Sequence, residues 1–333
     1  MNRAFQQIQQ ISKGYQASCV LGAACELNLF SALIHAGEPL SAEELARQLR
    51  WDERGTKVLL DALCSLSLLS RTEGKYAVLP EFCEILDENH PQTMVPMIRH
   101  TMGCLRQWSQ LAWTVKAGIP APSHNSLLGA REDNRSFVLG MHSLAVRTIP
   151  GLMEKMREAE ILHFRKILDL GGASGSWLWA FLEANPEAEG VLLDLPPAIR
   201  EAEKRFQGTP LENRTTFVAG NFYEMEYPQG IDFLWISAII HQQNSTATLE
   251  MFQKSYRALE AGGKIVLRDV FYPENQTPPP AAAFFAVNML CNTAAGKVYT
   301  VEETFGLLEK AGFRNPRWAV PAVDMGSIIV AEK

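Results

Sequence analysis

The chain has 333 residues, a formal net charge of −6 and 47% hydrophobic residues. This length and composition suit about two domains with buried cores and exclude a disordered chain. The acidic balance argues against a bulk nucleic-acid-binding protein. No apolar run reaches the roughly 18 residues of a membrane span. The N-terminal segment also lacks the apolar stretch of a secretion signal. We therefore expect a cytoplasmic protein that binds neither nucleic acid nor membrane.

The cysteine pattern bears on disulfides and metals. The six cysteines form no CxxC pair and show no His/Cys spacing of a zinc site. They are typical of buried thiols in a reducing compartment rather than of a disulfide framework. No cluster of His, Asp and Glu has the spacing of metal ligands. The sequence therefore predicts no metal site.

Residues 1–90 show short helical patterns separated by turns. Apolar residues at helical spacing predict a helix over about 15–30, and residues 54–68 predict another. Between them, Ser41 and Glu44 match a capping box, in which each side chain binds the other residue's backbone N–H. We expect a helical domain in this part of the chain.

A hairpin is predicted directly after these helices. The runs Leu69–Arg71 and Tyr76–Leu79 flank a turn that contains Gly74. Helix, helix and hairpin in this order are typical of a winged helix. The segment that would read DNA, from Asp52 through Leu69, carries three acidic residues, at positions 52, 53 and 61, against Arg54 and Lys57. A DNA-reading helix presents Arg, Lys, Asn or Gln. A transcriptional regulator therefore stays a remote alternative, and the apolar faces are interpreted as a dimer interface.

Residues 91–160 are mostly helical. A stretch rich in Gly and Pro at 118–122 breaks the pattern. A long helix is predicted over 134–160. The pair Pro150-Gly151 predicts an interruption of that helix, because proline lacks an N–H and clashes with the preceding turn. We expect a helical connector here.

Residues 161–333 alternate apolar runs with helical patterns. The runs do not alternate polar with apolar residues, which favours strands covered by helices on both faces. The pattern predicts an α/β domain with a Rossmann-like, doubly wound sheet. Six strands are predicted, over residues 167–170, 190–193, 216–218, 233–236, 264–267 and 327–331.

The strongest local motif is the run DLGGASG from Asp169 to Gly175, between a strand and a helix beginning near Ser176. Glycines in such a turn let a ligand approach the backbone, and the helix N–H groups point at the loop. The next strand ends at Asp194, where a carboxylate can bind ribose hydroxyls. A loop beginning Asp-Leu-Gly-Gly is typical of S-adenosylmethionine binding. A dinucleotide is the nearest alternative, although the GxGxxG spacing is not met, and a tight turn without a ligand also stays open.

Taken in order, the motifs resemble those of the plant-type O-methyltransferase family, which includes caffeic-acid and hydroxyindole enzymes. The motifs that carry the resemblance are Ala23–Phe30, Leu40–Ala46, Leu168–Gly172, Leu193–Pro196, Val218–Phe222, Ile239–His241 and Tyr256–Ile265. The resemblance implies a homodimeric S-adenosylmethionine-dependent methyltransferase. In that arrangement residues 1–90 form a winged-helix dimerisation domain and residues 161–333 the catalytic domain. Residues 91–160 form a connector that contributes to the acceptor pocket.

The resemblance also implies a cofactor site. Two glycines line the methionine end of the cofactor, and an acidic residue holds its ribose. Residues after the second and third strands flank its adenine. By position these residues are Gly171 and Gly172, Asp194 and Leu195, Asn221 and Phe222, and finally Ser237, which stands where the family commonly has a lysine.

By the same resemblance, His241 occupies the general-base position and Asp269 matches the acid that orients it. A phenol has a pKa of about 10, so little of it is ionised at neutral pH. A histidine can take that proton as the oxygen attacks, which accelerates the reaction by roughly 10²–10⁴. A neighbouring carboxylate fixes the tautomer. The alternatives are a purely structural core histidine and an ion pair between Asp269 and Arg268.

Five residues are predicted to line the acceptor pocket: Phe137, Met141, His142, Phe285 and Met289. Phe137, Met141 and Met289 match apolar positions of the family, and His142 lies beside Met141. An apolar pocket lined by methionine suits a flat aromatic acceptor. Apolar stripes of this kind also suit an ordinary core.

The predicted reaction is methyl transfer to a small aromatic hydroxyl compound, as in secondary metabolism. The chain departs from the family at Gln242 and Gln243, where His241 is commonly followed by Asp-Trp, and at Val301, where a bracing glutamate is common. C- or N-methylation therefore stays open. So does a non-methylating reaction such as decarboxylation, hydroxylation or a pericyclic step.

Overall fold

The computed structural model describes residues 2–333. The chain forms two compact units. The first unit comprises the residues up to Arg106 together with Ser123–Ser143. The second comprises Gln107–Pro122 together with Leu144–Lys333.

The first helices are α1 (Arg3–Lys13), α2 (Tyr15–Glu26) and α3 (Leu29–His35). The single helix predicted over 15–30 is thus wrong, because the chain breaks at Asn28, whose φ is 55°. Asparagine tolerates this left-handed conformation better than most residues. The apolar spacing continues across the break because Ala24, Leu29 and Phe30 enter the same core.

The capping box and the hairpin predicted for this region are both present. β1 (Leu40–Ser41) leads into α4 (Ala42–Leu49), where Ser41 and Glu44 bind each other's backbone N–H. The remaining elements before the connector are α5 (Glu53–Ser65), β2 (Leu69–Thr72), β3 (Lys75–Val78) and α6 (Cys83–Leu86). The three strands pair in the order β1-β3-β2, which completes a winged helix.

Three helices follow: α7 (Val95–Trp108), α8 (Leu111–Ala117) and α9 (Ala130–Glu158). Pro150 lies inside α9, so the predicted interruption is wrong. Proline removes one backbone hydrogen bond, and a glycine weakens a helix by ~1 kcal/mol. The next turn, however, buries Leu152, Met153 and Met156 in the core. Each such burial contributes roughly 1.5–3 kcal/mol, which outweighs the local cost.

The rest of the second unit alternates strands with helices, as predicted. In order it contains β4 (Lys166–Leu170), α10 (Ser176–Ala184), β5 (Glu189–Asp194), α11 (Pro196–Phe206), β6 (Thr215–Ala219), β7 (Ile231–Ser237), α12 (Ser245–Ala258), β8 (Leu259–Asp269), β9 (Phe271–Tyr272), α13 (Pro280–Asn292), β10 (Tyr299–Thr300), α14 (Val301–Lys310), β11 (Arg314–Val320) and β12 (Ser327–Glu332).

Seven of these strands form one sheet in the order β11-β12-β8-β7-β4-β5-β6. Five neighbouring strands are parallel to one another, namely β8, β7, β4, β5 and β6. Strand β12 is antiparallel to both of its neighbours, β8 and β11. Successive residues enter opposite cores: Ile167 packs on one face, and Leu168 packs on the other. The predicted α/β fold is confirmed. The sequence prediction missed β11, whose residues are mostly exposed or half-buried and carry no long apolar run.

Within residues 2–333, no single helix is both long and apolar enough to span a membrane. The pair Arg3–Glu26 and Leu29–His35 reaches the required length and composition only when counted together, with a bend of 58°.

Candidate active site

The loop after β4 is closely packed around its glycines. Gly171 has a φ of 72°, and a Cβ there would lie 2.6 Å from Cδ1 of Ile239. A Cβ on Gly172 would lie 2.5 Å from Oδ2 of Asp169. Gly175, also left-handed at 71°, ends the loop and caps α10. The predicted loop and helix start are therefore confirmed, and glycine is required at both positions because Ile239 and Asp169 already fill the space that a Cβ would need.

Asp194 ends β5 beside this loop. Its Oδ2 accepts a hydrogen bond from the backbone N–H of Ala173 at 2.8 Å, and its Oδ1 accepts one from Leu195 at 2.6 Å. Burial raises the pKa of Asp194, and the two N–H bonds oppose that shift. Each oxygen accepts one backbone N–H and retains a lone pair for a further donor. Asp194 can thus tie the glycine loop to β5 and still bind hydroxyl groups.

The other residues predicted to hold the cofactor flank this loop to different degrees. Leu195 is half exposed, and Phe222 is buried with its ring near Gly171. Asn221 is committed to its own turn: its amide nitrogen donates to Glu224, and its side-chain oxygen accepts from the N–H of Tyr223. The amide nitrogen of Asn221 carries a second N–H, so it can keep the Glu224 contact and still donate to a ligand.

His241 and Asp269 form a buried polar contact at this edge of the sheet. Nδ1 of His241 lies 2.8 Å from Oδ1 and 3.0 Å from Oδ2 of Asp269, and both residues are buried. A carboxylate only accepts, so this contact requires Nδ1–H and leaves Nε2 of the neutral ring with its lone pair. The alternative pair of Asp269 with Arg268 is not formed. Successive residues of β8 point to opposite faces of the sheet.

Two predicted acceptor residues lie on α13. The ring of Phe285 meets the His241 ring edge to face, with 4.8 Å between centroids. Met289 is buried one turn later, on the same face of the helix. Phe137, Met141 and His142 belong to the first compact unit, where Phe137 is 40% exposed and packs edge to face on His100 at 5.0 Å.

The turn that carries His241 is held by residues that the sequence analysis did not identify. Lys297 donates its backbone N–H to the carbonyl of His241 at 2.9 Å. A Cβ on Gly296 would lie 2.4 Å from that carbonyl, so a glycine is needed for the approach. The buried hydroxyl of Tyr299 donates to the carbonyl of Gln243 at 2.8 Å. No periodicity or motif marked these contacts, because they join residues more than 50 positions apart.

The sequence analysis also did not reveal that the carboxylate of Asp169 is buried without a partner among the described residues. It is 1% exposed beneath the glycine loop, and neither carboxylate oxygen makes a hydrogen bond of normal geometry to the described residues. Burial and the nearby Asp194 carboxylate raise the pKa of Asp169 to about 7, and the N–H of Leu178 in the first turn of α10 partly offsets this. An unpaired buried carboxylate in this position disfavours its own ionisation.

This pKa gives a testable dependence of stability on pH. In the unfolded chain the aspartate loses its proton near pH 3.9, but in the folded protein it keeps the proton until about pH 7. The contribution of Asp169 to stability therefore falls as the pH rises through that window. We expect Asp169→Asn to gain roughly 2–3 kcal/mol relative to the wild type between pH 5 and pH 8, measured by urea unfolding without ligand.

Asp61→Asn is a control of opposite sign. Hydrogen bonds from Lys57 and Tyr76 lower the pKa of Asp61, so its contribution is present at high pH and is lost as the pH falls through the lowered pKa. That variant should lose stability relative to the wild type only as the pH rises to about 4, and its difference from the wild type should stay constant between pH 5 and pH 8. A difference between Asp169→Asn and the wild type that does not change with pH would contradict the assignment.

Comparison with known proteins decides the family. Residues 106–314 match the O-methyltransferase domain, and residues 9–82 match the O-methyltransferase dimerisation domain. The chain belongs to the O-methyltransferase family. Together with the fold, this confirms the predicted family, the methyltransferase class and the S-adenosylmethionine cofactor.

Individual relatives are similar to this methyltransferase over almost the whole length of the chain. Acetylserotonin O-methyltransferase of Gallus gallus is 29% identical over 92% of this chain and 91% of its own. The 3-hydroxy-5-methyl-1-naphthoate 3-O-methyltransferase of Streptomyces sahachiroi is 27% identical over 95% of this chain and 92% of its own. The structure of human N-acetylserotonin methyltransferase in complex with S-adenosylmethionine superposes with a TM-score of 0.84 at 23% identity, covering 100% of this chain and 98% of that one.

Proposed function

We propose that the methyltransferase moves a methyl group to the hydroxyl of a small aromatic acceptor, with His241 as general base and Asp269 as its orienting acid. The contact between Nδ1 of His241 and Asp269 carries this proposal, because it leaves Nε2 available to accept a proton. The strand order β8-β7-β4-β5 supports it as well. This order places Asp269, His241, the glycine loop and Asp194 along one edge of the sheet.

The residues around the glycine loop fit S-adenosylmethionine. The loop carries two glycines, Gly171 and Gly172, and a carboxylate with free lone pairs lies beside it at Asp194. The apolar side chains of Leu195 and Phe222 suit the faces of an adenine. When bound, the cofactor supplies a methyl group already activated on a sulfonium. The chain has therefore mainly to align the acceptor, exclude water and manage one proton.

The proton is handled by His241 and Asp269. As the acceptor oxygen attacks, Nε2 of His241 takes the hydroxyl proton, and the ring becomes positively charged. Asp269 then faces this charge at Nδ1, while the N–H of Val270 donates to its Oδ1 and keeps the carboxylate in place. Phe285 packs against the ring and limits its rotation. The buried setting strengthens the attraction between the imidazolium and the carboxylate.

The acceptor class rests on the apolar surroundings of His241 and on the relatives. Phe285 and Met289 present aromatic and thioether surfaces on one face of α13. The Streptomyces sahachiroi relative is named for methylating the 3-hydroxyl of a naphthoate. On the family resemblance alone, we propose Phe137, Met141 and His142 as further residues that bind the acceptor.

We also propose that the enzyme is a homodimer built through its N-terminal domain. Helix α1 buries none of its residues, and Phe5, Ile8 and Ile11 are exposed at helical spacing. An apolar stripe of this kind suits a second copy of the same helical domain. Light scattering in solution tests this, because the measured mass should be twice the 37.1 kDa of one chain.

The reaction is tested with S-adenosylmethionine carrying a deuterated methyl group and a panel of hydroxylated aromatic compounds. We expect the label to appear on an acceptor oxygen, with S-adenosylhomocysteine formed in equal amount, as read by mass spectrometry and fragmentation. Label on carbon or nitrogen would overturn O-methylation. Conversion of a substrate without label in the product would overturn methyl transfer. The same panel with the hydroxyls already methylated is the matched control and should remain unlabelled.

A further inference from the structure

Arg268 is a buried cation that forms no ion pair with the residues the structure describes. It lies one residue before Asp269 on β8 and is 8% exposed. Its Nη1 donates to Oγ of Ser237 at 2.9 Å, whereas its Nε is buried and has no partner. Within residues 2–333 no carboxylate lies at ion-pair distance from its guanidinium. A buried arginine in this state is costly unless something else accepts its hydrogen bonds.

The surroundings of Arg268 add donors and aromatic surface, whereas the carboxylates of Asp269 and Asp324 act on it only from beyond ion-pair distance. The guanidinium lies over the ring of Trp177, 5.0 Å from its centroid. Nε1 of Trp235, on the same face of the sheet, is also buried without a partner. Burial lowers the pKa of Arg268 to about 10, with Asp269 and Asp324 opposing the shift, so the side chain stays charged at neutral pH. This is an environment prepared for an anion.

The position of Arg268 relates this environment to the cofactor site. Trp177 is the second residue of α10, the helix that directly follows the glycine loop. Ser237 is the last residue of β7, four positions before His241, and β7 pairs directly with β4. The guanidinium thus contacts the helix that follows the glycine loop and the last residue of the strand that precedes the His241 turn. Ser237 itself is neutral, and Arg268 brings a positive charge to its hydroxyl from the next strand.

We propose that Arg268 binds the carboxylate of the methionine part of the cofactor. This inference rests on the cofactor site proposed above. The carboxylate is the one anionic group of S-adenosylmethionine. The edge of the guanidinium formed by Nε and Nη2, which makes no hydrogen bond to the described residues, matches a carboxylate in a two-point contact.

The test compares two ligands that differ only in that group. S-adenosylmethionine and decarboxylated S-adenosylmethionine are each titrated into the enzyme by calorimetry without an acceptor. We expect Arg268→Gln to weaken S-adenosylmethionine about 10- to 100-fold and to leave the decarboxylated ligand within about threefold of its wild-type affinity. Arg268→Lys keeps the charge but not the two-point contact, so the preference for the carboxylate should be reduced but not lost. If the glutamine variant fails to fold, the lysine variant decides.

Arg205→Gln is the matched control. Arg205 also stacks on a tryptophan, with 5.0 Å to the ring centroid of Trp179, and also donates to a serine hydroxyl, that of Ser176, at 2.9 Å. Its replacement should change the affinities of both ligands by the same factor.

An equal loss of both ligands in Arg268→Gln, or no loss of either, would overturn the proposal and leave Arg268 a packing residue. If neither ligand binds the wild type, the cofactor site itself is misplaced, and this proposal fails with it.

Discussion

Replacing His241 with alanine should lower kcat by at least ~10², because the acceptor hydroxyl then loses its proton without a base in place. The dissociation constant for S-adenosylmethionine should change little, since His241 contacts Asp269 and Phe285 rather than the glycine loop. Turnover is measured with an acceptor found by the labelled-methyl assay, and cofactor binding is measured by calorimetry. At high pH the variant should recover part of its rate, as the acceptor begins to ionise on its own.

The variant Asp269→Asn keeps His241 but removes the carboxylate that orients it, so it measures how much that orientation contributes to kcat. An asparagine can still accept from Nδ1–H, but it stabilises the charged ring poorly, so kcat should fall as well. Removing both residues should cost little more than removing His241 alone, because the two act as a unit. His163→Ala, at an exposed position, is the control and should retain wild-type turnover. Near-normal turnover of His241→Ala at neutral pH would favour catalysis by alignment alone, or an acceptor already ionised in the site.

The second large effect is expected at Asp194. Asp194→Ala should weaken S-adenosylmethionine and S-adenosylhomocysteine at least ~100-fold, because a carboxylate accepting two ribose hydroxyls forms charge-assisted bonds that water replaces poorly. Calorimetry with each ligand gives the affinities. Unchanged binding would mean that the ribose site lies elsewhere.

Asp194 also accepts the N–H groups of Ala173 and Leu195, so its removal could act by loosening the glycine loop. Asp194→Asn distinguishes the two effects. The amide of the asparagine variant keeps an acceptor oxygen for one N–H but has no charge. The unfolding temperature of Asp194→Asn should therefore lie closer to that of the wild type than the unfolding temperature of Asp194→Ala does. If the loss of affinity follows charge, asparagine and alanine should weaken the ligands to a similar degree. If it follows loop stability, asparagine should bind nearly as well as the wild type.

The sequence by itself determined the features that depend on neighbours along the chain. The apolar runs without alternation predicted the buried parallel strands, and the glycine run predicted the loop after β4. The capping box at Ser41 and Glu44 formed as predicted. Each of these follows from backbone geometry or from burial of one short segment, which local residue types specify.

Tertiary structure decided what local preference could not. Pro150 stays within a helix because the following turn is buried, and Asn28 breaks a continuous apolar pattern because both of its flanking helices still reach one core. The contact of His241 with Asp269 joins residues 28 positions apart. It forms because β7 and β8 are adjacent in the sheet. The uncompensated burial of Asp169 and Arg268 arises in the same way, since the free energy of a buried charge depends on which groups the fold brings within a few ångströms of it.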